Sequence, residues 1–166
     1  MWVNDSFIEL AVVVLRQLKR TVMESGLLHL HNFLRWVILF FLLLALVQAF
    51  GKKPGLKKTS LWLLIASHVT LLIGLYQYFT GAFGYKLIQA NGFAAVMKDS
   101  SLRFWAVEHI STMIIAIILI TVARGKSKNG AYNAASWLYL IALLLILAGV
   151  PWPFREGIAR PWFPGM

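Results

Sequence analysis

The chain contains no cysteine in 166 residues and only six acidic side chains, with 13% of residues charged and five prolines. Without Cys there are no disulfides, no thiolate nucleophile, no iron–sulfur ligation and no covalent thioether attachment of haem. There is also no Walker loop, no GxGxxG, no HExxH and no nucleophile elbow, so hydrolase, kinase and nucleotide-binding chemistry has no starting point. The scarcity of charge is matched by an excess of apolar residues, 60% of the chain at a mean hydropathy of +0.73. A water-soluble domain would have too little polar surface to cover them. The formal net charge of +10 does not point to nucleic acid, because the basic residues fall in short clusters between apolar runs and form no basic helical face.

Crossing a bilayer takes roughly 20 mostly apolar residues. Four stretches meet that requirement, at about 27–50, 61–83, 104–123 and 137–154, the last running out through Pro151 and Pro153. The expected fold is an all-α, integral membrane four-helix bundle at 27–155 with both termini on one side, followed by a tail at 156–166. Lys52, Lys53, Lys57, Lys58, Arg124, Lys126 and Lys128 fall in or beside the two short loops on the other side. All six acids, Asp5, Glu9, Glu24, Asp99, Glu108 and Glu156, belong to the side of the termini. Lys and Arg in short loops mark the cytoplasmic face, so the termini are expected on the opposite side, the periplasm or its equivalent.

Ahead of the first span, Phe7, Leu10, Val14, Leu18 and Val22 recur at helical spacing opposite Glu9, Arg16, Lys19 and Arg20. This pattern predicts an amphipathic interfacial helix over 1–26; a start at Met23, with 1–22 as an upstream extension, is the alternative. The long connection after the second span has room for a short helix around 93–97.

The residues that stand out are ionisable groups inside apolar spans, which are costly there and usually face the bundle interior. All four histidines, His29, His31, His68 and His109, lie in or at the edge of spans. Two neutral imidazoles from two helices at similar depth are what a b-type haem requires. At ~1.5 Å of rise per residue, His31 and His109 differ in depth by roughly 4–9 Å, while His68 lies about 12 Å from His109 toward the other face. The first pair is therefore the expected axial pair. His68 has several readings open: a second haem or metal, a quinone pocket, or a hydrogen bond to a helix carbonyl. His29 points away from His31 and reads as an interface residue. Arg35, one turn from His31, and Arg103, near His109 at the same edge, are placed to fork haem propionates, with Arg155 and Arg160 as further candidates. Snorkelling to the interface would explain either of the first two alone. Glu108 is expected to pair with an arginine, Arg35 being one option, in preference to relaying protons.

The segments LHLHNFLRW (28–36), SHVTLLIGLYQY (67–78), RFWAVEHISTM (103–113) and GVPWPFR (149–155) resemble short bacterial four-helix membrane proteins labelled cytochrome B. The resemblance covers about 26–155 and implies a b-type cytochrome in electron transfer, with His31, His68 and His109 as the residues that carry it over. The resulting expectation is a haem b subunit passing electrons between quinol and a partner in a larger membrane complex, and at most the electron-transfer part of an oxidoreductase. The alternative is a cofactor-free accessory or assembly subunit whose buried polar contacts fix helix packing. A metal or small-molecule transporter is a third and weaker option.

Overall fold

The computed structural model describes residues 5–163; the first four residues of the 1–26 segment and the last three of the tail lie outside the described residues. Helix α1 (Asp5–Phe50) is joined by a five-residue turn to α2 (Leu56–Thr80). The long connection then folds into three short helices, α3 (Tyr85–Asn91), α4 (Phe93–Lys98) and α5 (Ser100–Arg103). A π-helical turn (Phe104–Glu108) leads into α6 (His109–Lys128), and α7 (Tyr132–Gly149) completes the bundle. The helix expected near 93–97 is α4. Each of the four apolar stretches belongs to a helix long enough to cross a membrane.

The four long helices form a closed ring of neighbours, α1 against α2, α2 against α6, α6 against α7 and α7 back against α1. Small residues explain how they approach. Ala45, Ala49, Ala116, Ala123, Ala135 and Ala142 are fully buried, as are Ser60, Ser67, Ser127 and Ser136. In lipid the hydrophobic effect does not separate inside from outside, and close backbone packing through small side chains takes its place. The bulky residues Phe40, Val47, Leu72, Ile118 and Leu144 accordingly point outward. The buried hydroxyls of Ser67, Thr70 and Ser136 each donate to a carbonyl of their own helix, Leu64, Ala66 and Tyr132 respectively.

Helix α1 runs without a break through the boundary expected at 26, as one helix of 46 residues. The only glycine on the way, Gly26, has nothing within 4 Å of where a Cβ would sit, and a helical Gly costs only about 1 kcal/mol. From Phe7 to Arg20 every side chain except Ala11 is exposed, so this half of α1 extends beyond the packed bundle.

The tail folds back across the end of the bundle where His31 and His109 lie. The Trp162 carbonyl accepts from Arg35 Nη2 at 2.8 Å and from Trp36 Nε1 at 2.9 Å. The rings of Trp36 and Phe163 stack at 5.6 Å, and Trp152 and Trp162 pack at 5.6 Å. Ser101 on α5 donates to the Gly157 carbonyl at 2.8 Å. The chain therefore closes this end of the bundle with its own aromatic strap.

Candidate functional site

His31 on α1 and His109 at the start of α6 face one another across the bundle, with ring centroids 6.4 Å apart and planes inclined at 61°. Two local features aim His109. The π-helical turn ahead of it makes the His109 backbone N–H reach the Phe104 carbonyl, five residues back, which resets the angular register of everything after it. The His109 ring then bonds through Nδ1 to the Gly149 carbonyl at 2.8 Å. A carbonyl can only accept, so Nδ1 carries the proton and Nε2 keeps its lone pair, the tautomer a metal-ligating imidazole needs.

That bond depends on close approach of α6 and α7. A Cβ at Gly149 would lie 2.6 Å from Met113 Cε and 3.0 Å from Thr112 Cγ2, so a larger residue would displace the Met113 side chain and crowd Thr112. His31 is seated in the same manner against α2, where a Cβ at Gly74 would come within 3.1 Å of His31 Cε1. The Thr70 backbone lies beside the His31 ring, and the buried Nδ1 has no partner within hydrogen-bond geometry.

Both imidazoles line a cavity of about 710 Å³ between α1, α2, α6 and the tail, a size in the range of cofactor sites, ~300–1,000 Å³. Its two ends differ in chemistry. At the end nearer the tail the walls include His29, His31, Asn32, Arg35, His109 and Arg160. Arg35 spends Nη2 on the Trp162 carbonyl, while its Nε is buried without a partner. Arg160 lies 4.6 Å from the Phe83 ring centroid and 4.9 Å from that of Trp105. Burial pushes the Arg160 guanidinium below its ordinary value, but an arginine remains charged at any physiological pH.

Three of these side chains lie away from the cavity: His68, Arg103 and Glu108. His68 is exposed on the outer side of α2, bonds to the Leu64 carbonyl of its own helix at 2.9 Å, and does not line the cavity. The helix-carbonyl bond is one of the readings open for it in the sequence, where depth along a span says nothing about which way a side chain faces. Arg103 does not reach the cavity either: its Nε pairs with Glu108 at 2.6 Å and its Nη1 with the Met97 carbonyl at 2.9 Å. Glu108 thus pairs with Arg103 and not with Arg35. On a regular α-helix residues five apart are about 140° apart around the axis; the π-helical turn between them brings this pair together. The pair is a third to a half exposed and so contributes at most ~1 kcal/mol.

His31, His109 and Arg35 are brought together as expected, with Arg160 in the position first given to Arg103. Sequence reasoning missed Gly74 as the seat of His31 and the Gly149 carbonyl as the partner of His109. Among the described residues no group of three or more His, Asp or Glu forms a metal cage, so any metal here would rest on the two imidazoles and on a group that brings its own ligands. No family model matches the chain, and no curated protein or solved structure matches it either.

Proposed function

We propose that the chain is a haem-binding electron-transfer subunit of a membrane redox complex, with His31 and His109 as axial ligands of a b-type haem. The observation that carries this reading is the 6.4 Å separation of the two rings across a cofactor-sized cavity. Two imidazoles binding one metal from opposite sides, each at ~2.0–2.1 Å, have ring centroids roughly 6 Å apart. The unpartnered Nδ1 of His31 and the buried, unpaired Nε of Arg35 support it as well, since buried polar groups without partners are uncommon and call for a reason.

The donor set fits such a group. His31 and His109 would hold the metal, and Arg35 with Arg160 would face the acidic edge of the macrocycle near the interface. Bound there, the haem would supply reversible one-electron chemistry. The chain's own residues position and insulate. Gly149 fixes the His109 tautomer through its carbonyl, Gly74 leaves room for the His31 ring, and the tail strap holds the Arg35 guanidinium through the Trp162 carbonyl. Electron donors and acceptors would be quinol in the bilayer and a neighbouring subunit, with the Lys- and Arg-rich short loops on the cytoplasmic face of a bacterial inner membrane.

The cofactor-free accessory reading is favoured by one observation: the His109–Gly149 bond already joins α6 to α7 with no ligand. A pyridine haemochrome assay on the purified chain separates the two. The haem reading predicts about one b-type haem per chain, lost in His31→Ala with the helical content intact. A colourless, folded protein from haem-replete cells, with His109→Ala failing to assemble, would establish the accessory role instead.

A further inference from the structure

The cavity is longer than a macrocycle centred on the two imidazoles. Along α1 it continues from His31 to Ile38, and along α6 from His109 to Ile120, distances of about 10 and 16 Å at the helical rise. The outer carbon substituents of a porphyrin lie four bonds from its metal, roughly 5–6 Å at ordinary bond lengths. An inner arm is therefore left over, directed toward the middle of the bundle and away from Arg160 and the tail; Arg35, four residues past His31 on α1, stands at its mouth with its guanidinium turned to the Trp162 carbonyl.

The arm is walled by Ile38, Leu71, Met113, Ile117 and Ile120, together with Ser67. Its polar groups are already satisfied, Ser67 by the Leu64 carbonyl and neighbouring Thr70 by the Ala66 carbonyl. Nothing in the arm asks for a hydrogen bond, whereas the other end of the cavity holds orphaned ring and guanidinium nitrogens. A space with one polar, cationic end and one dry, apolar arm matches a ligand with a polar head and a hydrocarbon chain.

We infer that the inner arm seats one flexible hydrocarbon chain, carried by a molecule that enters the cavity. The orientation rests on the haem reading, which points the acidic edge of the macrocycle at Arg35 and Arg160 and the opposite edge into the arm. Two sources share this chemistry: the tail of a separate lipid, such as an isoprenoid quinone whose head lies beside a haem b, or a long alkyl or isoprenoid substituent on the macrocycle itself, in which case the same two histidines hold a chain-bearing haem in place of haem b.

The test is to extract the full chain from membranes with an amphipathic polymer, avoiding detergent tails, and to analyse organic extracts by mass spectrometry. The wild type is compared with Ile117→Trp, which fills the arm, and with Ser67→Leu, which narrows it from α2 should the first variant fail to fold. A chain-bearing molecule near one per protein, reduced at least fivefold in the variant, is the expected result. If the chain is on the macrocycle, the porphyrin mass carries it and pigment falls with it. If it belongs to a separate lipid, the pigment is unsubstituted haem and survives the substitution. Unchanged chain-bearing molecules and unchanged pigment in both variants would overturn the inference while leaving the haem reading intact. No porphyrin in any sample, with a lipid that Ile117→Trp still removes, would keep the arm and sink the haem reading.

Discussion

At the scale of single residues, the account turns on how two imidazoles are held. Gly74 is the support that touches an imidazole directly, since a methyl there would sit 3.1 Å from His31 Cε1. That is closer than the ordinary ~3.5–4.0 Å carbon contact, so the ring must tilt. Gly74→Ala is expected to lower the haem-to-protein ratio measurably and Gly74→Val to lower it several-fold, with circular dichroism unchanged; an undiminished ratio in Gly74→Val would show that the α2 contact does not position His31. The arginines act through charge. Removing a cation beside a haem favours the ferric form. Arg35→Gln and Arg160→Gln are therefore each expected to move the midpoint potential downward in a spectroelectrochemical titration, and the double variant further. An upward or absent shift in both would place the acidic edge of the macrocycle elsewhere.

At the scale of elements, the π-helical turn Phe104–Glu108 is the piece that sets His109. It is tied to α2 by the Tyr78 hydroxyl, which donates to the Ala106 carbonyl at 3.0 Å. Tyr78→Phe should cost about 1 kcal/mol and speed amide exchange in the turn more than in the body of α6. Equal exchange in the two regions would mean that the bond does not anchor the turn.

The four spans were legible in the sequence because length and lack of charge are enough to find them. The pairing of His31 with His109 was legible because a common depth is a matter of counting. The turn was not, since one extra residue per turn leaves no compositional mark. Its consequences were hidden with it, namely the Arg103–Glu108 pair and the release of Arg103 from the site. The continuity of α1 was obscured by an amphipathic pattern that changes character near Gly26 without any residue able to end a helix. His68 could not be assigned because every face of an apolar span reads alike until the neighbours are known. Arg160 stood as one of several tail candidates, and only the folding of the tail onto Arg35 and Trp36 brings it to the cavity.

At the scale of the whole molecule, the two short loops meet at one end of the bundle, where Lys52 and Gly130 border one shallow depression. The histidine cavity and the aromatic strap occupy the opposite end. The histidine cavity and the basic loops are thus separated along the bundle axis, and the positive-inside rule makes their orientation testable. The chain has no cysteine, so single cysteines report cleanly. In intact cells Lys98→Cys is expected to react with a membrane-impermeant maleimide, while Lys126→Cys should react only after the inner membrane is opened. The reverse pattern would put the histidine end toward the cytoplasm and change which partners could reach it.

The central claim is that one metal is bound by both His31 and His109. Low-temperature electron paramagnetic resonance of the oxidised, purified chain tests it most directly, because two axial imidazoles force ferric haem into a low-spin state. The account predicts a low-spin ferric signal near one spin per chain, replaced in His31→Ala or His109→Ala by a high-spin signal or by loss of haem. A wild-type spectrum that is high-spin, or that persists as low-spin in either variant, would contradict it.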